Sequence, residues 1–138
     1  MVSAKTEDYL EVILELSEYS KHVSSKAVAD RLGITQPSVV SMFTRLDGEN
    51  LLRYTKYAGV VLTRKGKNIA YAAKLRREVF SRFFSILGLD DESVEKCARC
   101  VNCEIPPQAM IRLDEFVDFM EKSDCVERWK AGQGEDGN

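Results

Sequence analysis

The spacing of apolar positions predicts a helix at the start of the chain. Tyr9, Ile13 and Leu16 recur at helical intervals and would share one face. Ser3 or Thr6, just upstream, supplies a hydroxyl that can cap the first turn. The apolar face predicts that this helix packs on a core.

Two more helices are predicted to follow and to meet in a tight turn. Ser24 or Ser25 can cap the first of them, and Gly33 suits its end. Thr35 can cap the next helix, where Pro37 falls in the first turn and its missing N–H costs nothing. A helix, a short turn with glycine and a second helix make the helix-turn-helix arrangement, whose second helix can enter the DNA major groove.

A hairpin is predicted next. Residues 51–63 form two β-rich runs around Ala58-Gly59. Because two strands alone are not stable, the hairpin must pack on the preceding helices, as in a winged helix-turn-helix. Thr63 can then cap a long helix that ends at about Leu87 with Gly88 as its stop, and this helix would link the winged part to a second half.

The second half also has helical spacing. Asp90 or Asp91 can cap a helix whose apolar positions continue to Ile105, where Pro106 and Pro107 end it. Pro107 can also open a last helix that continues to about residue 121. We therefore predict a mainly α fold in two parts.

The predicted domain boundaries follow from these elements. The winged helix-turn-helix domain takes residues 1–70 and an all-helical domain takes residues 71–130. The last stretch, residues 131–138, is rich in glycine and polar residues, which predicts a flexible tail.

Composition fits an ordinary globular protein. The chain has 138 residues, of which 44% are hydrophobic and 30% charged, and no apolar run approaches the ~18 residues of a membrane span. Disorder and a membrane partner are therefore not expected. The N-terminus lacks the basic start and apolar middle of a signal peptide, so we expect a cytoplasmic protein with reduced thiols.

Basic residues concentrate in and after the predicted wing. Residues 45–67 carry six Lys and Arg against two acidic residues, a local charge of +4 that would attract a polyanion. A solvated basic face explains this charge equally well. The residues predicted to contact double-stranded DNA are Lys26, Thr35, Gln36, Pro37, Ser38, Ser41 and Arg45 in the helix-turn-helix, and Lys56 and Tyr57 at the wing tip.

Several motifs resemble a known family. They are Glu7-Asp8-Tyr9-Leu10-Glu11, Ala29-Asp30-Arg31-Leu32, Pro37-Ser38-Val39-Val40 and the wing string Tyr54-Lys56-Tyr57-Gly59-Val61-Leu62-Thr63-Lys65-Gly66-Lys67. With these the chain resembles the diphtheria-toxin-repressor and manganese-transport-regulator family over almost its whole length, in its shorter two-domain branch. The resemblance implies a metal-responsive repressor that binds a palindromic operator as a homodimer through a C-terminal dimerisation domain.

The resemblance also implies a metal site, from which this sequence departs. Asp8 and Glu11 match the two acidic ligands of the first helix. The other four ligand positions differ: Arg77 replaces the long-helix His, Arg99 and Asn102 replace two acids, and Cys103 replaces a second His. An arginine cannot ligate and its charge opposes a nearby cation, so manganese is not the expected effector.

Cysteines stand near the altered positions. Cys97, Cys100 and Cys103 form a C-x2-C-x2-C run, and Cys125 follows further on. On an ideal helix the run would occupy one stripe spanning roughly 120°. It predicts a site for a transition metal ion, with Zn, copper(I) or Fe favoured over Mn, that is completed by Cys125 or by an oxygen of Asp8 or Glu11. The alternative is a [4Fe-4S] cluster. Alternatively, the cysteines are small buried residues without a ligand role.

Three functions remain open from the sequence. The first is a metal- or iron-sulfur-responsive DNA-binding regulator. The second is a winged-helix regulator that has lost metal control, and the third is a small iron-sulfur or redox protein that uses the winged helix for docking. We do not expect an enzyme, because the chain has no nucleophile elbow, phosphate-binding glycine loop or HExxH motif, and its one histidine is His22.

Overall fold

The computed structural model describes residues 2–101 and 104–135. This part of the chain forms the following elements in order: α1 (Ala4–Leu16), α2 (Ser25–Leu32), α3 (Gln36–Gly48), β1 (Leu52–Thr55), β2 (Gly59–Leu62), α4 (Arg64–Ile86), α5 (Asp91–Cys100), α6 (Pro107–Lys122) and α7 (Cys125–Glu135). The predicted mainly α fold, with a helix-turn-helix and a hairpin, is confirmed. The chain divides into two compact units between Lys74 and Leu75.

Side-chain caps set the starts of α1 and α2, whereas Thr35, which was predicted to cap α3, makes no side-chain cap hydrogen bond. The Ser3 hydroxyl accepts from the Thr6 backbone N–H at 3.2 Å, and the Ser24 hydroxyl accepts from that of Ala27 at 3.1 Å. Ser3 and Ser24 are thus the caps among the predicted alternatives. Gly33 ends α2 in the left-handed conformation (φ 66°), which glycine adopts without the steric cost of a Cβ.

One hydrophobic core joins the helices and the hairpin of the N-terminal unit. Leu10 of α1, Phe43 and Leu46 of α3, and Leu52 and Val60 of the hairpin are all completely buried in it. Each such side chain contributes about 1.5–3 kcal/mol when it is buried fully. The helix-turn-helix and the wing are therefore one folding unit.

The wing is a two-stranded antiparallel sheet with one added bridge. Leu52 pairs with Leu62, and Thr55 pairs with Gly59 at the turn end. Val23, just before α2, exchanges two backbone hydrogen bonds of 2.9 Å with Val60. Gly59 is required here, because a Cβ at its φ of 112° would lie 2.5 Å from the Val23 carbonyl oxygen.

The C-terminal unit contains the second half of α4 with α5, α6 and α7. Its core is built on Val79 of α4 and on Met110 and Val117 of α6. Arg82 of α4 binds three carboxylates along α6, those of Asp114 (2.8 Å), Asp118 (3.6 Å) and Glu121 (3.0 Å). The long helix is thus joined to α6 by both apolar packing and charge.

Two helices differ from the sequence prediction. Helix α5 ends at Cys100 and does not continue to Ile105. Val101 has a non-helical ψ of 85°, and its carbonyl accepts a 3.1 Å hydrogen bond from the side chain of Arg76, 25 residues earlier on α4. Helix α7 was not predicted, because the last predicted helix ended at about residue 121, and it continues to Glu135, inside the predicted flexible tail. Extending an existing helix adds one hydrogen bond per residue even through glycine.

No helix in the described ranges is both long and apolar enough to cross a lipid bilayer.

Candidate nucleic-acid interface and metal-site residues

Helix α3 has one buried and one exposed face. Val39 and Phe43 are completely buried against the core, whereas Gln36, Ser38 and Ser41 are exposed on the other side. This division follows from the 3.6-residue helical period, which places the apolar residues on the inner face. The polar side of the second helix of the helix-turn-helix is therefore presented to solvent.

Hydrogen bonds orient the polar groups at the start of α3. The Gln36 side-chain amide donates to the Ser25 hydroxyl at 2.9 Å, and the hydroxyls of Thr35 and Ser38 lie 2.8 Å apart. Gln36 keeps its amide oxygen and a second N–H for a ligand. Ser25 was predicted only as a helix cap, although its place at the start of the paired helix was the available signal.

Arg45 lies at the far end of α3 and has protein partners. Its guanidinium forms an ion pair with Glu49 at 3.2 Å and donates to the Thr6 hydroxyl at 3.3 Å. The hydrogen bond to Thr6 joins the end of α3 to α1, whereas the pair with Glu49 lies within the end of α3 itself. Because a guanidinium has five N–H donors, this arrangement still leaves donors for a further acceptor.

The wing tip exposes a cation beside an aromatic ring. Tyr57 is 95% exposed and has a left-handed backbone (φ 70°), which is uncommon for a residue with a side chain. The Lys56 ammonium lies 5.2 Å from the centre of the Tyr57 ring. Together with Lys26 and Pro37, which are also exposed, every residue predicted to contact DNA is accessible.

The predicted metal ligands lie on three different helices. On α1, Asp8 is exposed and Glu11 is buried, and on α5 Cys97 is half-buried and Cys100 exposed. Cys125 is half-buried at the first position of α7. Burial raises the pKa of the Tyr9 hydroxyl, which is adjacent to Asp8 in the sequence, so Tyr9 stays neutral at physiological pH.

Cys103 lies outside the described residues. The ideal-helix stripe predicted for Cys97, Cys100 and Cys103 does not hold, because α5 ends at Cys100. Within residues 2–101 and 104–135, no group of three or more His, Cys, Asp and Glu side chains is placed to hold a metal ion. The structure therefore does not bring the predicted ligands together in the part that it describes.

Known proteins similar to this chain carry the same architecture. A family model described as "Iron dependent repressor, N-terminal DNA binding domain" matches residues 1–60. The "HTH-type transcriptional regulator MntR" of Bacillus pumilus (strain SAFR-032) is 32% identical over 124 residues, which cover 90% of this chain and 86% of that protein. The chain belongs to the diphtheria-toxin-repressor and manganese-transport-regulator family.

Two solved structures support this membership in the metal-dependent regulator family. "Structure of the manganese regulator SloR" has a TM-score of 0.68 at 29% identity and covers 83% of this chain. "Manganese-dependent transcriptional repressor complex with manganese" has a TM-score of 0.66 at 27% identity, also over 83%. The chain spans about half the length of each, 54% and 53%. These relatives are transcriptional regulators and not enzymes, as the sequence predicted for this chain.

The manganese ligand set implied by the family does not fit this chain. Arg77 of α4 and Arg99 of α5 line the same cavity, so two guanidiniums stand at positions where the resemblance implies metal ligands. A guanidinium remains protonated and has no acceptor atom, so it neither ligates nor tolerates an adjacent cation. No regulatory step through bound manganese follows from these residues.

Proposed function

We propose that the chain is a transcriptional repressor that binds double-stranded DNA through α3 and the wing. The observation that carries the proposal is the exposed polar face of α3, backed by a fully buried apolar face. The N-terminal residues of such a helix contact base edges in the major groove. As a DNA-binding regulator it would work in the cytoplasm.

The exposed residues divide into two roles by their chemistry. Gln36 can bind an adenine edge with its amide, and Arg45 a guanine edge with two N–H donors. Lys26 at the start of α2 and Lys56 at the wing tip suit phosphate, which fixes the register of the protein on the duplex. Thr35, Pro37, Ser38, Ser41 and Tyr57 complete the proposed contact surface.

We further propose that the active form is a homodimer. Helix α6 keeps Ile111, Phe116 and Phe119 between 50% and 65% exposed, on the side away from its buried Met110 and Val117. These exposed apolar side chains alternate with the charged Arg112 and Glu115. Exposed apolar groups rimmed by polar residues mark an interaction surface, and the resemblance assigns dimerisation to this half of the chain. Two copies of α3 would then contact the half-sites of a palindromic operator, about 34–36 Å apart.

The effector of the family is a transition metal ion, and we propose which residues of this chain would bind it. Thiolates of Cys97, Cys100, Cys103 and Cys125, with carboxylates of Asp8 and Glu11, supply donors suited to Zn or Fe or, through the cysteines, to a [4Fe-4S] cluster. Metal and acid-labile sulfide analysis of anaerobically purified protein tests this directly. Bound Zn or Fe that is lost in a Cys97→Ser/Cys100→Ser variant would support it, and metal-free protein would refute it.

A regulator without metal control is the second candidate. The substitution of arginines at positions 77 and 99 favours it, because their charge opposes a cation at that place. The two candidates differ in one quantity, the operator affinity with and without a chelator. A change of about tenfold or more indicates metal control, and no change indicates its loss.

DNA binding is tested with a duplex selected from a random library by the wild-type protein. Fluorescence anisotropy should show an affinity that falls steeply with salt, because phosphate contacts release counterions. Lys56→Ala should reduce the slope of log affinity against log salt by about one, and Gln36→Ala should relax selectivity at one base pair. Lys96→Ala, which removes the same charge from α5, is the matched control.

A further inference from the structure

A cavity in the C-terminal unit carries side chains of both charges. It has a volume of about 210 Å³ and lies between α4 and α5. Arg77 and Ser81 contribute from α4, and Asp91, Glu95 and Arg99 contribute from α5. Arg77, Asp91, Glu95 and Arg99 are exposed, so the cavity is open to solvent and offers guanidinium donors, a hydroxyl and carboxylate acceptors along its surface.

The geometry of α5 explains why these groups share the cavity. Asp91, Glu95 and Arg99 are spaced by four residues and so follow one stripe of the helix. Val94 and Ala98, which also line the cavity, are only 8% and 4% exposed. The polar stripe therefore stands beside a buried apolar surface.

Cys100 lies on a different side of α5 from the cavity. At ~100° per residue it is roughly 160° from Ala98 around the helix axis, whereas Cys97 is roughly 60° from Val94. No described cysteine lines the cavity. The cavity is thus separate from the thiols considered above as metal ligands.

The charges of the lining select one class of ligand. The Arg99 guanidinium is paired with the Glu95 carboxylate, which orients it, and its remaining N–H donors can bind a second carboxylate. The two arginines repel a metal cation, and the two carboxylates repel an anion that carries no positive group. A molecule with a carboxylate and an ammonium group close together complements both signs.

We propose that this cavity binds a small zwitterion of the α-amino acid class. The ligand carboxylate binds Arg77 and Arg99, the ammonium group binds Asp91 and Glu95, and a short side chain contacts Val94. The volume is below the roughly 300 Å³ at which cavities for drug-sized ligands begin, which agrees with a ligand of this size. The proposal does not depend on the DNA-binding function.

Isothermal titration calorimetry on the full chain tests the proposal. The probes are the common L-α-amino acids, with acetate and methylamine as ligands of single charge. At least one amino acid should bind saturably at one molecule per chain, and neither single-charge probe should. Arg99→Gln should weaken that binding on the order of tenfold, because a charged hydrogen bond is lost. Ser81→Leu, which fills the cavity from α4, should abolish it.

Lys96→Gln is the matched control, since Lys96 is an exposed cation of α5 that pairs with Glu92 and does not line the cavity. It should bind as the wild type does, and circular dichroism verifies that each variant is folded. The proposal is overturned if no amino acid binds, if acetate binds as well as the amino acids, or if folded Arg99→Gln and Ser81→Leu proteins both bind as tightly as the wild type.

Discussion

Gly66 determines how closely the start of α4 approaches the wing. A Cβ at this position would lie 1.9 Å from the Leu51 carbonyl oxygen, a backbone atom that cannot turn away. The same carbonyl accepts from the Thr63 N–H at 3.1 Å, so moving it also disturbs the start of α4. We expect Gly66→Ala to lower the free energy of unfolding by about 1–3 kcal/mol, as overpacking does.

Urea denaturation measures this loss, with Gly48→Ala as the control. A Cβ at Gly48, the last residue of α3, meets no atom within 4 Å. That change should leave stability the same or raise it by up to about 1 kcal/mol, because alanine favours the helix. Equal stability of the two variants would contradict the proposed close contact at Gly66.

Asp90 gives the C-terminal unit a pH dependence. Its carboxylate accepts from the Ser93 backbone N–H at 2.7 Å, and this hydrogen bond lowers the pKa of Asp90 below its ordinary value. A lowered folded pKa stabilises the protein above the unfolded pKa of about 3.9, and the benefit is lost as pH falls through the folded pKa. We expect the stability of Asp90→Asn to lack this part of the pH dependence.

The measurement compares urea midpoints from pH 6 down to pH 3. The difference in urea midpoint between wild type and Asp90→Asn should narrow as the pH falls. Asp30→Asn, at an exposed residue of the other unit, is the control for the loss of one carboxylate. A difference that stays constant over the whole range would show that the Asp90 charge does not contribute.

Helices α4 and α6 are joined by the ion pairs of Arg82. Glu121 and then Asp114 raise the pKa of Arg82 by accepting its hydrogen bonds, so the guanidinium is permanently charged. Arg82→Ala would leave three carboxylates of α6 without this cation. Because the Arg82 side chain is 34% exposed, solvent screens the pairs, and we expect a loss of about 1–2 kcal/mol in total.

Thermal and urea unfolding test the Arg82 prediction. Lys96→Ala is the comparison, since it breaks one exposed pair with Glu92 and should cost only about 0.3–0.5 kcal/mol. If both variants lose the same small amount, the three pairs of Arg82 do not act together.

Helix ends were predictable from the sequence where the residues that mark them act on neighbours a few positions away. Ser3, Ser24 and Gly33 mark helix ends through contacts within a few residues, so the sequence predicted the helix-turn-helix and its wing. The end of α5 was missed because Arg76, 25 residues earlier, binds the Val101 carbonyl. A side chain from another helix leaves no signal in the local apolar period.

The candidate DNA surface was predictable for the same reason. The helical period alone predicted that Gln36, Ser38 and Ser41 lie on the polar face of α3, and they are exposed there. The ion pair of Arg45 with Glu49 and the cavity beside Arg99 depend on how side chains orient after folding. The sequence identified the arginines as departures from the family ligands, but it did not indicate that they share a cavity.

For the whole molecule, the exposed face of α6 is the basis of the proposed dimer. Phe119 is 65% exposed, and Phe119→Glu would place a charge within the interface. We expect sedimentation equilibrium to show a monomer and operator affinity to fall by at least about tenfold, because one DNA half-site would be lost. Tyr19→Glu, at an aromatic residue that is 87% exposed in the N-terminal unit, should remain a dimer.

A wild type that is already monomeric, or a folded Phe119→Glu variant that stays dimeric, would contradict the assignment of α6. Circular dichroism separates loss of assembly from loss of fold. The exposed position of Phe119 makes unfolding an unexpected result, since the core of this unit is formed by Val79, Met110 and Val117.

Hydroxyl-radical footprinting on the selected operator tests whether the protein binds DNA as a dimer through α3. We expect two protected half-sites whose centres lie one helical turn apart, about 10–10.5 base pairs, or a multiple of that spacing. Protection should weaken at both half-sites when Gln36 and Ser41 are replaced by alanine. Dimeric binding through α3 would be contradicted by an operator without protected half-sites, or by a footprint that these two substitutions leave unchanged.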